Sequence, residues 1–285
     1  MAAVDDRWCR TPLVISLLVS LLLTAPDGGA LTNRPVSITS EKLDVFIKEH
    51  RALYTGHAKA IRDSLTLTCD RLEMFSSSSG EVQRIVARGN VYAIDGDREL
   101  WGEEADFINE TGVLTVRGKP HGKQGPKEIE GELATFTTGI DRLVVTKAKT
   151  RVLKEAKAER VFIDADLLTL EGEKNEAKWT GHVHAVKGKT TLLAPEVTAH
   201  YDAQGEIDRV LARGGVEVTE GDRWARGQNA DYAVPRGMLV VTGKPEARQG
   251  KTRLKGTKVT FFSGTEFLEV ENATTVIEVD RKKVK

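Results

Sequence analysis

The side chains that could perform chemistry are few in this sequence. His182 and His184 lie two residues apart. On a strand they would share a face and could bind a metal together with a third ligand. An earlier stretch matches this one but has His57 followed by Lys59, so the second histidine is not repeated. The pair is therefore interpreted as polar residues on a strand surface, and no metal or other cofactor is predicted.

Two lysine motifs resemble phosphate-binding loops only superficially. They are Gly118-Lys119-Pro120 and Gly243-Lys244-Pro245. Both lack the upstream glycine, the Ser or Thr after lysine and the following helix that a P-loop needs. Both are interpreted as turns.

Acids and cysteines give no clearer site. Asp97-Arg98 and Asp222-Arg223 each follow a glycine and are interpreted as turns with a local ion pair. A pair of carboxylates for glycoside cleavage is left open, because acids occur throughout the chain. Cys69 becomes Ala194 at the matching position and is interpreted as a small buried hydrophobe. No serine, cysteine or histidine constellation stands out as a nucleophilic catalytic site.

The composition excludes one class of partner. The chain has 285 residues, with 42 Lys plus Arg against 42 Asp plus Glu. A formal net charge of zero argues against a nucleic-acid binder, whose surface would be basic.

An internal duplication organises the sequence. Residues 54–148 align without a gap on residues 179–273, and 34 of these 95 positions are identical. Self-similarity at a fixed offset is the signature of repeat architectures. The interpretation is a leader over residues 1–30, a first repeat over 31–150, a second repeat over 151–275 and a basic tail over 276–285.

Within each copy the pattern is that of strands and turns. Apolar and polar residues alternate in stretches such as Leu114-Thr115-Val116, which places alternate side chains on one face of a sheet. Turn signals recur between these stretches, among them Tyr54-Thr55-Gly56 and Arg88-Gly89-Asn90. Residues 147–157 are rich in helix formers, but a strand is favoured because they lie where a strand should continue.

The N-terminus indicates export. Residues 13–23 form an apolar run of the length found in a secretory signal peptide. It is short for a bilayer span, which needs roughly 20 residues. Cleavage is expected near Ala30. Cys9 would leave with the leader and Cys69 would remain alone, so no disulfide framework is expected, and a bacterial periplasm is the predicted compartment.

Several motifs, in order, resemble those of OstA-like domains. Each occurs twice, at residues 80–91 and 205–216, 102–107 and 227–232, 112–120 and 237–245, and 129–131 and 254–256. The resemblance is therefore to the LptA family of periplasmic lipopolysaccharide-transport bridge proteins, in which such domains occur. A family member with one such domain is the usual case, whereas this chain carries two in tandem.

The resemblance implies an all-β fold: an elongated, open β-jellyroll of two facing antiparallel sheets, a solenoid-like stack of short strands. It also implies an apolar trough for lipid A acyl chains and no catalysis. The implied partners are lipopolysaccharide and the inner- and outer-membrane transport components, met by end-to-end strand addition, with a head-to-tail homo-oligomer as a further possibility. The lining residues expected from the period of two are Leu72, Met74, Phe107, Leu114, Val116, Phe136, Leu143 and Val145 in the first copy, and Val197, Tyr232, Leu239, Val241, Phe261, Leu268 and Val270 in the second.

Two alternatives remain open at this stage. One is a non-catalytic adaptor solenoid with a filled core, which acts through its strand edges. The other is a carbohydrate-active β-solenoid enzyme. A one-residue shift in strand register would also turn the whole lining set to the opposite face.

Overall fold

The computed structural model describes residues 36–154, 159–250, 252–262, 265 and 267–277. The predicted leader and residues 278–285 of the basic tail lie outside these ranges. The all-β prediction is confirmed. The strands are β1 (Ser37–Thr39), β2 (Lys42–Phe46), β3 (Arg51–Arg62), β4 (Leu65–Ser76), β5 (Val82–Asp95), β6 (Arg98–Ile108), β7 (Val113–Arg117), β8 (His121–Gln124), β9 (Lys127–Glu130), β10 (Leu133–Thr137), β11 (Arg142–Lys154), β12 (Glu159–Glu171), β13 (Glu176–Lys187), β14 (Thr190–Tyr201), β15 (Ile207–Glu220), β16 (Arg223–Ala233), β17 (Met238–Thr242), β18 (Glu246–Gln249), β19 (Thr252–Lys255), β20 (Lys258–Phe262), β21 (Leu268–Glu271) and β22 (Thr274–Ile277).

The described helical segments are single 3-10 turns: Ile47–Glu49, Thr138–Ile140 and Val234–Arg236. The strand prediction for residues 147–157 is confirmed over its described part, which belongs to β11. Alternating burial along β11 explains why: Leu143, Val145 and Ala148 are buried between more exposed neighbours. Packing therefore overrides helix propensity in this stretch.

The chain divides into two compact units. Of the described residues, the N-terminal unit contains 36–154 and 168–174, and the C-terminal unit contains 159–167 and those of 175–277. The division falls inside β12. Each unit is a set of antiparallel strands of the kind expected for a β-jellyroll.

In the N-terminal unit each long strand belongs to two sheets. Strands β3 to β6 have 11 to 14 residues each. One half of each joins β2, β7, β10 and part of β11 in the first sheet. The other half joins β1, β8, β9 and the rest of β11 in the second sheet. The chain therefore passes repeatedly from one sheet to the other.

The passage occurs at β-bulges, and here the sequence-based interpretation was wrong. Arg88-Gly89-Asn90 and Tyr54-Thr55-Gly56 were predicted as turns between strands. Instead, Gly89 (φ 74°) and Asn90 (φ 47°) lie inside β5, where the pairing register shifts between Arg88 and Val91. Two residues with positive φ between extended stretches bend a strand without reversing it. Gly56 lies inside β3 in the same way.

We call the line of these bulges the crease. At the crease the two sheets pack directly on each other. A Cβ added to Gly102, in the second-sheet part of β6, would collide with the Val116 side chain of the first sheet. A Cβ on Gly131 would collide with Val145 in the same way. The inner faces of the two sheets therefore meet at the crease.

The C-terminal unit repeats this plan. Strands β13 to β16 supply both sheets, with β17, β20 and β21 in the first sheet. Strands β18, β19 and β22 complete the second sheet. Gly214 and Gly215 form the bulge of β15, with φ of 89° and 99°. Gly227 approaches Val241 as Gly102 approaches Val116.

Candidate functional site

Two rows of apolar side chains cross the inner face of the first sheet in the N-terminal unit. They are defined by direct pairing from strand to strand, and residues paired directly in a sheet share a face. The crease row, next to the bulges, is Tyr54, Leu72, Ala87, Ala105, Val116, Ala134 and Val145. The rim row, farther from the crease, is Ala52, Met74, Ile85, Phe107, Leu114, Phe136 and Leu143.

The C-terminal unit has the same two rows at matching positions. Its crease row is Trp179, Val197, Ala212, Ala230, Val241, Val259 and Val270. Its rim row is Ala177, Ala199, Val210, Tyr232, Leu239, Phe261 and Leu268.

All fifteen residues predicted to line a trough lie in these rows. In each unit the structure therefore brings the predicted residues of that unit onto one face. In the N-terminal unit all eight are buried except Met74, which is half-buried. In the C-terminal unit Val197 and Val241 are buried, and the other five are half-buried.

The second sheet of each unit has a matching inner face. In the N-terminal unit its rim row is Ala60, Leu67, Ala93, Leu100, Gly122 and Ile129. All six residues are buried. In the C-terminal unit the row is Ala185, Leu192, Val218, Ala225, Ala247 and Leu254. Only Ala225 and Ala247 of these are buried. The rim is thus covered on both sheets in one unit and partly uncovered on both sheets in the other.

One polar interaction in each unit joins the rim sides of the two sheets, an electrostatic one in the N-terminal unit and a hydrogen bond in the C-terminal unit. In the N-terminal unit Arg98, on the second sheet, acts electrostatically on Asp141, which follows the first-sheet strand β10. In the C-terminal unit the matching Arg223 donates to the backbone oxygen of Thr265 at 3.4 Å. Burial, and the charge of Glu173, raise the pKa of Asp141, while Arg98 opposes them.

The apolar rows continue onto an exposed edge. In β2, Leu43 pairs with Tyr54 and Val45 with Ala52, so these two residues extend the crease and rim rows. Val45 is 62% exposed, and Leu43 is also exposed. Among the described residues, β2 pairs with β3 alone. In the C-terminal unit β21 likewise has one described neighbour, β20.

Sequence reasoning missed an ionic cluster on the outer face of the first sheet. Glu73, in β4, is buried and accepts hydrogen bonds from Arg51 at 3.2 Å, Arg88 at 3.0 Å and Arg71. Burial raises the pKa of this carboxyl, but the hydrogen bonds and charges of Arg71 and Arg88 outweigh it, so the pKa is lowered. Arg88 also bonds Glu104 at 2.8 Å.

The only sequence signal for this cluster was the alternation of Leu72-Glu73-Met74, which places Glu73 opposite the apolar rows. The second copy does not repeat it. Thr198 and Asn229 stand where the first copy has Glu73 and Glu104.

The residues first considered for chemistry have structural partners. His182 Nδ1 lies 2.7 Å from Asp166 Oδ2, and His57 Nδ1 lies 2.9 Å from Glu41 Oε1. Both histidines have positive φ and sit at bulges of the crease. Within the described ranges, no three His, Cys, Asp or Glu side chains converge as a metal site would require.

The remaining chemical candidates also occupy structural positions. Lys119 and Lys244 have positive φ in the passages from β7 to β8 and from β17 to β18. Arg223 pairs with Glu220 across a hairpin, at 2.7 Å. Cys69 is buried, and burial raises the pKa of its thiol to about 11, so it stays protonated. It packs as a small hydrophobe, as predicted.

No helix in the described part of the chain is long and apolar enough to span a membrane.

Comparison with known proteins gives a family match over most of the chain. The matching family is described as LptA/(LptD N-terminal domain) LPS transport protein, and it matches residues 37–154 and 162–267. The chain is 27% identical over 107 residues to an uncharacterized protein of Rhizobium meliloti (strain 1021). That match covers 35% of this chain and 58% of the relative.

A solved structure is also similar: the crystal structure of LptH, the LptA-homologous periplasmic component of the lipopolysaccharide transport device of Pseudomonas aeruginosa. It is 17% identical, with a TM-score of 0.39, and the match covers 42% of this chain and 95% of LptH.

The family match, in two successive segments, agrees with the resemblance noted in the sequence motifs. The family is one of non-catalytic transport proteins, so the chain is not an enzyme. The chain belongs to the LptA/LptD N-terminal family of lipopolysaccharide-transport proteins.

Proposed function

We propose that this chain binds lipopolysaccharide through its acyl chains and carries it across the periplasm, from the inner to the outer membrane, as part of a bridge. The observation that supports this most directly is the pair of apolar rows in each unit, together with the family match. Each acyl methylene moved from water onto such a surface contributes about 0.8 kcal/mol. A run of apolar side chains without charges suits acyl chains.

Localisation and organisation follow as parts of the proposal. The apolar run at residues 13–23 would direct export and be cleaved near Ala30. The mature chain would then consist of two tandem OstA-like domains, at 31–150 and 151–275, and a basic tail at 276–285. The two matched family segments support this division.

The edge strands are the proposed sites for protein partners. An edge strand presents unpaired backbone groups to which another chain can add a strand. β2, with its exposed Val45, and β21 are the described candidates in the two units. The partners would be the inner- and outer-membrane transport components or a second copy of this chain. Val45→Glu should weaken such an association, measured by pull-down, and leave the unfolding midpoint unchanged. Unaltered association would contradict a role for β2.

The transport proposal is tested by photo-crosslinking in cells that make lipopolysaccharide. A photoreactive residue replaces Phe136 or Phe261 on the inner face, with Thr135 and Glu269 as outer-face controls. Thr260 is a poorer control because it is buried. Lipopolysaccharide adducts are expected at an inner position and absent from both controls. A folded, exported protein that gives no inner-face adduct would overturn the proposal and favour a filled-core adaptor.

A further inference from the structure

The two copies share their inner-face pattern but differ in how well the rim is covered. Leu114, Phe136 and Leu143 of the N-terminal rim row are buried. Their counterparts Leu239, Phe261 and Leu268 are identical in type but half-buried. Since the side chains are the same, the difference must come from what lies over them.

A position on an edge strand accounts for only part of this difference in exposure. Leu268 lies on β21, which has one described neighbour, so some exposure is expected there. Leu239 lies on β17, with β16 on one side and β20 on the other. Tyr232 lies on β16, between β15 and β17. Both are half-buried although their strands have neighbours on both sides. The rim is therefore uncovered within the sheet as well as at its edge.

Smaller residues at several rim positions of the second copy account for part of the rest, although Ala93 and Gly122 become the larger Val218 and Ala247. Met74, Ile85 and Leu100 of the first copy correspond to Ala199, Val210 and Ala225. Leu65, which is fully buried farther from the crease on the second sheet, corresponds to Thr190. Each replacement removes apolar volume from the rim of the C-terminal unit. Protein interiors are close-packed, so side chains that lose such neighbours lose contact on that side.

The two crease rows are equally buried, so the units differ in burial at the rim and not throughout the interior. Val197, Val241 and Val259 of the C-terminal crease row are as buried as Leu72 and Val116 of the N-terminal one. The C-terminal unit thus has a buried crease row, whereas the apolar rim rows of both of its sheets are partly exposed. From β5 to β11 the N-terminal unit is packed from crease to rim, whereas Ala52 and Met74 of its rim row are half-buried.

We infer that the C-terminal unit is the segment that takes up acyl chains, and that the N-terminal unit is a closed segment with its interior filled by its own side chains. This inference rests on the proposed function, because the occupant is the acyl portion of lipopolysaccharide. The residues proposed to determine the difference are Ala199, Val210 and Ala225, which stand where the first copy has the larger Met74, Ile85 and Leu100.

The test uses the purified full-length mature chain and purified lipopolysaccharide, with a photoreactive residue at Phe136 or Phe261. Adducts at position 261 should exceed those at position 136 about tenfold, which corresponds to about 1.4 kcal/mol of preference. Equal adducts, or more at position 136, would overturn the inference and leave the proposed function standing. Adducts at neither position, in a folded chain, would overturn both.

Exchange of the rim residues provides the matched variants. The triple variant Ala199→Met, Val210→Ile and Ala225→Leu fills the C-terminal rim and should lower the adduct yield at position 261 about tenfold. The reverse triple, Met74→Ala, Ile85→Val and Leu100→Ala, should leave that yield unchanged and raise the yield at position 136. Circular dichroism and the unfolding midpoint establish that each variant is folded. If a folded filled-rim variant labels as well as the unaltered chain, the inference is wrong.

Discussion

Leu114 and Leu239 are the same residue at the same place in two copies of one fold, yet the first is buried and the second half-buried. Both pair with an aromatic residue on either side: Leu114 with Phe107 and Phe136, and Leu239 with Tyr232 and Phe261. Local pairing is therefore equal. The comparison teaches that a duplicated strand pattern fixes which face a residue occupies but leaves open how tightly that face is filled.

The outer faces of the two units also differ. The N-terminal unit has the buried Glu73 with three arginines, whereas the C-terminal unit has Thr198 there. Arg84–Asp106 and Arg209–Asp231 are kept in both units. Among the described residues, the buried Glu73 cluster thus belongs to the unit with the filled interior, which fits a structural segment.

The largest expected effect comes from truncating Leu114, and the same change at Leu239 tests whether the two interiors are packed differently. Leu114→Ala should destabilise the protein by about 2–5 kcal/mol, because it leaves a cavity in a packed interior. Leu239→Ala should cost less than half of that, since its side chain is already partly in water. Urea unfolding, followed with a probe in each unit, measures both. Equal costs would mean that the two interiors are equally packed.

A smaller effect concerns the crease. Gly89→Ala should cost about 1–3 kcal/mol, because φ of 74° is strained for a residue with a Cβ and the added carbon would collide with Asp70. Gly214→Ala at the matching bulge shares the backbone strain, but its Cβ would meet only Pro195, at 3.2 Å. Gly214→Ala should therefore destabilise the protein less than Gly89→Ala does. Thermal unfolding of both variants measures these costs. An equal loss of stability would show that the collision with Asp70 contributes nothing.

The ionic cluster should give a pH-dependent difference between the units. Glu73→Gln should cost about 1–2 kcal/mol at neutral pH, because charge-assisted hydrogen bonds to the arginines are lost. Thr198→Ala should be close to neutral. The folded-state pKa of Glu73 lies below its usual value of 4.5. Its contribution is therefore present above pH 4.5 and is lost as pH falls through the folded-state pKa.

The two stability curves should accordingly converge in acid. Unfolding of the unaltered chain and of Glu73→Gln between pH 7 and pH 3 measures this convergence. A constant difference across that range would show that the ionised carboxylate is not the source of the stabilisation.

The smallest expected effect is a gain. The pKa of Asp141 is raised by burial and by Glu173, so its ionised form is less favourable in the folded chain than in the unfolded one. Asp141→Asn should therefore raise the unfolding midpoint slightly at neutral pH, and the gain should vanish below the usual carboxyl pKa. Asparagine also tolerates the left-handed φ of 44° at this position. A lower midpoint at pH 7 would contradict the expected sign.

Much of the fold could be predicted from particular residues. The 125-residue offset and the period of two placed Leu114, Phe136 and Leu143 on one face, and the registers of β7, β10 and β11 confirm their shared face. The bulges could not be separated from turns, because Gly89-Asn90 gives the same local signal for both. The Glu73 cluster was missed because its three arginines come from three different strands.

The sequence by itself determined the duplication, the all-β class and which side chains share a face, since these depend on local alternation and on glycine positions. Which of the two faces is the inner one was decided by the tertiary structure. Only the tertiary structure decided that the strands bend at a crease and that one rim is filled while the other is half open. Exposure depends on which side chains from the facing sheet come to lie over a residue. Those neighbours are set by the packing of the two sheets, which local alternation along one strand does not specify.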